Sequence, residues 1–409
     1  MRDIILKALG ELNIPVYQIE ISEERSAELF FIKKTLDMRR IKSAVHCAVT
    51  VYRDFEADGV TFRGSSQAQI FEGMGLDEVK ARIEGAYFAA QFVKNPFYEL
   101  YEGRKDEPVA MPSTLADRPL EENAMLMAKA LFAADTDADA FINSAEFFAI
   151  ENQVSLLTSA GTDVAYSRYL VKGEFVTQCK APQDVEQFFQ FAYADLNTEA
   201  LTEKARQAIA AVRDRAAAQK SPQAGTYSVV LSGDQVPTLL EYYGERSHAS
   251  MVYAHYSDWT VGKKVQGEDV RGEKLNLNLL PMTPYSEDGI PMVPRPLLAD
   301  GELKLIYGPN RFCRYLGIEP TGNYQRLGLD NGTVALNDLR KGCLCPVSFS
   351  DFQMDAFTGH FGGEIRLAYL YTDEGVKILT GGSLNGNLSE KQGKLLFSTE
   401  RPDTMDSTG

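Results

Sequence analysis

Apolar residues recur along this chain at two periods, and each predicts a different element. Val79, Ile83, Ala86, Tyr87, Ala90 and Val93 fall at steps of three and four, so 77–94 predicts an amphipathic helix lying on a sheet. Asn95-Pro96 ends it, because the residue before a proline is driven out of the helical region. A second helix is expected from Pro119, with Leu120, Ala124, Met127, Leu131 and Ala134 on one face. A third is expected over 199–218, with Leu201, Ala205, Ala208, Ile209, Val212 and Ala216. Strand-like runs cover 41–53, 146–158 and 164–178.

The third helix runs into Gln219-Lys-Ser-Pro-Gln-Ala-Gly225, a composition that can neither continue a helix nor build a strand. A domain boundary is expected there, because 409 residues exceed what one core usually holds. The division reads as 1–225, 226–401 and a polar tail over 402–409. Beyond the boundary, Tyr227-Ser-Val-Val-Leu reads as a buried strand and the Leu239–Val252 region as a helix. The remainder reads as short strands separated by Gly, Pro and Asn turns.

Composition narrows the function. Forty-two basic against 57 acidic residues give a net charge of −15, which argues against a nucleic-acid partner, since binding a phosphate backbone needs clustered Lys and Arg. Five cysteines (Cys47, Cys179, Cys313, Cys343 and Cys345) form no regular framework and suit a reducing compartment. The first residues are too acidic for a secretory signal, and no apolar run is long enough to cross a membrane. The expectation is a soluble, cytoplasmic protein with neither a nucleic-acid nor a membrane partner.

Five short motifs stand in order in the last third: Ser286-Glu-Asp-Gly-Ile, Gly301-Glu-Leu-Lys, Pro320-Thr-Gly-Asn, Thr358-Gly-His-Phe and Gly386-Asn-Leu. As an ordered set they resemble the TldD/PmbA family, whose catalytic members are zinc peptidases with an HExxxH helix just upstream. The resemblance implies an α+β protein, with an N-terminal α/β domain and a larger C-terminal domain rich in antiparallel strands. It also implies that two chains pair to enclose a cavity in which an unfolded peptide is bound and cut. In such a motif two histidines and a third ligand hold zinc, while the glutamate takes a proton from the metal-bound water. Here the matching segment, Val236-Pro-Thr-Leu-Leu-Glu-Tyr-Tyr-Gly-Glu-Arg-Ser-His248, sets Glu241 and Arg246 against the histidines and Tyr242 against the base. The region of the third ligand, from Asn387, holds no cysteine.

The chain therefore looks like the metal-free PmbA (TldE) side of the family. No catalytic residue, metal or cofactor is expected in it, and zinc is expected instead in a TldD-type partner subunit. The alternative is a stand-alone homodimeric peptide- or ligand-binding protein. The turn motifs supply candidate cleft residues, namely Thr321, Gly322, Asn323, Thr358, Gly359 and His360.

Other segments could carry chemistry. Asp135, Asp137, Asp139, Asn143 and Glu146 occupy calcium-ligand positions of an EF-hand loop, but Ala140 stands where the sharp turn wants glycine, and the following residues suit a strand. A solvated acidic loop that caps a helix is the simpler reading. His46 and Cys47 should point to opposite faces of a strand, so no Cys/His dyad is expected. His248 and His255, seven apart, would lie two turns apart on a continuous helix, too far to share an ion. Cys343 and Cys345 could share one side of a strand and, with His360, take a soft metal, although chance cysteines are the commoner explanation.

Overall fold

The computed structural model describes residues 1–218 and 221–400. The N-terminal part runs α1 (Arg2–Glu11), β1 (Tyr17–Ile32), β2 (Thr35–Ala57), β3 (Val60–Ile70), α2 (Leu76–Ala90), β4 (Val109–Ala110), α3 (Leu120–Ala133), β5 (Ala140–Thr158), β6 (Asp163–Cys179), β7 (Val185–Tyr193) and α4 (Thr198–Ala217). Its sheet has the order β3-β2-β1-β5-β6, with β4 and β7 both on β6. Every pairing is antiparallel except that of β4.

Strand length explains the layering. β2 has 23 residues, about 75 Å at 3.3 Å per residue, whereas α4, with 20 residues, spans about 30 Å. One helical layer cannot cover such strands, so two helix pairs lie in tandem on one face. Ile5, Leu9, Val79 and Ile83 of α1 and α2 bury Ile19, Val49 and Val51. Met127, Leu131, Leu201 and Val212 of α3 and α4 bury Leu29, Phe147, Val171 and Phe175. Ile19 and Leu29 share one face of β1 because their spacing is even.

The C-terminal part contains α5 (Gln235–Ser247), α6 (Ala249–Tyr253), β8 (Leu277–Leu280), β9 (Arg295–Ala299), β10 (Glu302–Leu303), α7 (Asn310–Leu316), β11 (Arg326–Leu329), α8 (Leu336–Arg340), β12 (Leu344–Met354), β13 (His360–Thr372), β14 (Gly375–Leu379), β15 (Ser383–Asn387) and α9 (Leu388–Lys391). Two four-stranded antiparallel sheets result, β10-β9-β8-β11 and β12-β13-β14 with β15 on β13. The mixed helix-and-strand class expected above is what is found, with the longest strands in the N-terminal sheet. Among the described residues, no helix is long and apolar enough to cross a membrane.

Two local expectations need correction. Tyr227–Leu231 forms no buried strand; Val230 N–H and Ser228 C=O pair only with Leu344, and the segment lines an open cleft. An apolar run of five residues does not say whether a neighbouring strand exists to receive it. The helix expected over Leu239–Val252 is two helices, broken at His248. Ser221–Gly225 of the expected boundary has no regular structure, whereas Gln219, Lys220 and the tail over 402–409 lie outside the described residues.

Candidate functional site

The C-terminal turn of α5 is where the sequence motifs converge. Pro237 falls in the first turn of α5, where backbone N–H groups have no intrahelical partner, so it costs no hydrogen bond. Gly244 lets α5 pack closely, since a Cβ there would lie 3.3 Å from Leu327 Cδ1 and 3.5 Å from Tyr307 Oη. The helix stops because His248 turns extended (φ −76°, ψ 135°) and caps α6, its Nδ1 accepting from Ser250 N–H at 3.3 Å.

His248 begins a polar chain. Ser250 Oγ lies 2.7 Å from His248 Nδ1, His248 Nε2 lies 2.9 Å from Asn323 Oδ1, and Asn323 Nδ2 donates to Glu287 Oε1. Since Nδ1 accepts the Ser250 N–H, the neutral ring carries its proton on Nε2 and donates it to Asn323. Two motifs thus meet physically, and glycine makes it possible. Gly322 has φ +81°, and a Cβ there would lie 2.8 Å from Ser286 Cβ and 2.4 Å from Met292 Sδ. Thr321 is buried and fixes the turn by accepting from Gly308 N–H at 3.0 Å. Behind Glu287, Asp288 accepts from Asn310 N–H at 2.8 Å, and burial pushes its carboxyl up to about 6. Gln18 of β1 reaches Glu287 C=O at 2.8 Å, so the N-terminal sheet abuts this cluster.

A second cluster gathers the other two candidate turns. His360 and Asn387 face each other across β13 and β15. Gly359, at φ +80°, brings the first turn against the second, because a Cβ there would lie 3.0 Å from Asn387 Oδ1. Asn387 Nδ2 donates to Thr358 C=O at 3.0 Å, Thr358 Oγ1 donates to Asp355 Oδ2 at 2.6 Å, and His360 Nδ1 lies 3.0 Å from Thr358 Oγ1. The Thr358 hydroxyl, then the backbone of the turn, hold the Asp355 carboxyl below its usual range. Arg246 ties this cluster to α5, its Nη1 donating to Phe357 C=O at 3.1 Å.

The three positions set against the zinc motif do not fit a metal. Arg246 lies against both Tyr242 and Trp259, with the guanidinium carbon 5.6 and 5.3 Å from the ring centres, and Nη2 donates to Asp258 Oδ1 at 3.3 Å. A guanidinium has no lone pair for zinc and does not lose its charge. Tyr242 is buried edge-on against Tyr243 and Trp259, and burial pushes its phenol up, away from the phenolate that a ligand or base requires. Glu241 is exposed on a wide cleft that 221–234, β11 and the segment after β15 also line.

The remaining candidates are scattered. His46 is exposed on β2, and Cys47 is buried on the opposite face. His255 has left the helix at φ +59°. Cys345 pairs with Tyr369, nine positions along β13 from His360, so about 30 Å separates them. Glu146 lies within β5, opposite Phe30 and Glu174, while Asp135 accepts from Ile142 N–H and Asp137 from Asp139 and Ala140 N–H. Among the described residues, no three His, Cys, Asp or Glu side chains are grouped to hold a metal. Calorimetric titration with Ca²⁺ is expected to show nothing tighter than millimolar, and a micromolar site lost in Glu146→Gln would refute this. Sequence reasoning missed Glu287 as a site residue and set His248 aside; the motif order was the available signal for the first, but nothing local marked the second.

The PmbA/TldA metallopeptidase C-terminal domain matches residues 224–403. No curated protein sequence matches significantly. Among solved structures, the chain is similar to TldE from Thermococcus kodakarensis (16% identity, 95% of this chain and 92% of that one, TM-score 0.75). It is also similar to the proposed modulators of DNA gyrase from Thermotoga maritima (17% identity, 95% and 92%, TM-score 0.73) and Bacteroides thetaiotaomicron (16% identity, 100% and 95%, TM-score 0.75). Residues 224–403 thus match the PmbA/TldA metallopeptidase C-terminal domain, and the chain as a whole has a fold similar to that of TldE along nearly its entire length.

Proposed function

We propose that the chain is a non-catalytic subunit of a TldD/TldE-type metallopeptidase complex, which binds unfolded peptide while a zinc-bearing subunit cuts it. One observation carries this reading, the Arg246 guanidinium packed against two aromatic rings at the position that the resemblance sets against a zinc ligand. Such a centre cannot generate the metal-bound hydroxide that peptide hydrolysis needs. The motif turns keep a polar, partly open surface around it that suits an extended chain.

The test is hydrolysis of a reduced, unfolded protein by this chain, by an HExxxH-bearing relative from the same genome, and by the two together. Activity is expected only when the relative is present, and this chain is expected to raise it. Elemental analysis of the chain, purified without chelators, should find far less than one zinc per molecule. Stoichiometric zinc with chelator-sensitive hydrolysis by this chain alone would refute the proposal. Binding of unfolded protein without any effect on the relative's activity would favour the stand-alone binding protein instead.

A further inference from the structure

We propose that Arg246 is the anchor of a carboxylate-binding site, through which this chain grips the C-terminal or side-chain carboxylate of an unfolded peptide. The inference rests on the peptide-binding reading above and names the chemical feature recognised.

The guanidinium is preorganised and not fully used. Only 15% of its side chain is exposed, and it packs against the rings of Tyr242 and Trp259. Of five N–H donors, one on Nη1 goes to Phe357 C=O and one on Nη2 to Asp258 Oδ1, which leaves a donor on each η nitrogen and the buried Nε–H. Asp258 already shows that a carboxylate oxygen fits there. Its hold is weak, since it is 74% exposed, 3.3 Å from Arg246 and only 2.7 Å from Lys263, so Lys263 can keep it while an incoming carboxylate takes the guanidinium. Asp355, two residues before Phe357, is engaged by the Phe357 and Thr358 N–H groups and the Thr358 hydroxyl.

Beside the cation stands an exposed aromatic pair. Phe357 and Tyr256 are 55% and 61% exposed and meet edge to face, with ring centres 5.4 Å apart. Both belong to the segments that hold Arg246, through Phe357 C=O and through Ser257 Oγ, which donates to Arg246 C=O at 2.6 Å. A fixed cation next to exposed rings suits a carboxylate whose neighbouring side chain is apolar. The centre thus keeps the positive charge that a metal would bring and loses only the chemistry.

The test uses the full chain and a fluorescent ten-residue peptide of Gly, Ser and Ala ending in Phe, made as the free acid, as the amide, and as the amide with one internal Asp. The free acid should bind about tenfold tighter than the amide, the scale of one charge-assisted hydrogen-bonded contact, with the gap narrowing as salt rises. Arg246→Met should bring the ratio of acid to amide affinity down to one, whereas a purely structural role would weaken both peptides alike and keep the ratio. Arg246→Lys should retain part of the preference, and Asp258→Asn should enlarge it. The Asp-bearing amide decides between the two sources, matching the acid if side chains are gripped and the plain amide if only chain ends are. Equal binding of acid and amide, or a preference that survives Arg246→Met, overturns this proposal and leaves the peptide-binding reading standing. Failure of both peptides to bind overturns the two together.

Discussion

Tyr243→Ala is expected to cost about 4 kcal/mol of stability, as large-to-small changes of a fully buried aromatic do. Tyr243 is 0% exposed, sits on the inner face of α5, and packs against Tyr242 and Trp259 with ring centres 5.2 and 6.2 Å away. Its hydroxyl donates to Gln392 Oε1 at 3.1 Å, and Gln392 C=O in turn accepts from Gln266 Nε2 at 3.1 Å. That chain ties α5 to the segment after Asn387, so both motif clusters depend on it. Tyr243→Phe keeps the ring and removes one buried hydrogen bond, for a loss of about 1 kcal/mol. Trp259 is the only tryptophan and touches Tyr243, so urea unfolding followed by its emission reads this core directly. Equal losses for the two substitutions would mean that the hydroxyl, not the packing, holds α5.

Asp288→Asn should stabilise the protein at pH 7.5 and leave it nearly unchanged at pH 4. In the folded chain burial pushes the Asp288 carboxyl up to about 6 from 3.8. The native state therefore binds more protons than the unfolded one between those values, and stability falls as pH rises through that window. The full penalty, reached above pH 6, is roughly 2–3 kcal/mol at 1.36 kcal/mol per unit. Asparagine stays neutral and can still accept from Asn310 N–H, the bond that starts α7. α7 is also where the C-terminal part meets the N-terminal part, through Asn310 Nδ2 to Glu99 C=O and Tyr315 Oη to Pro96 C=O. Urea midpoints of both proteins across pH 4–8 make the comparison, since carboxylates not coupled to Asp288 cancel in the difference. Parallel curves would show that Asp288 is hydrated and unperturbed.

Local sequence determined a good deal of this protein. The three helices read from apolar spacing, 77–94, from Pro119 and 199–218, are found as α2, α3 and α4 within a few residues, because each needs one buried face and the spacing writes that face directly. The strand runs lie inside β2, β5 and β6; β6 matches within one residue at each end, but β2 and β5 extend well beyond theirs. Their exposed ends, such as 35–43 of β2, carry no alternation that burial would impose, so only pairing with β1 reveals them. The motifs marked turns that the fold brings together, and positive-φ glycines such as Gly322 and Gly359 are legible because few other residues tolerate that backbone.

What only the tertiary structure decided is which of these turns touch. Asn323 and Glu287 are 36 positions apart and Arg246 and Phe357 are 111 apart, and no local pattern encodes such contacts. His248 is the sharpest case: by sequence it sits on a helix as a surface residue, yet it breaks that helix and joins two distant motifs. Arg246 is another, since the resemblance only sets it against a zinc ligand, while the surrounding rings and carbonyl show a cation held in place. The reason is physical in both cases. Periodicity reports the burial of a face, which each segment carries in itself, whereas a polar contact depends on the partner that folding delivers from elsewhere in the chain.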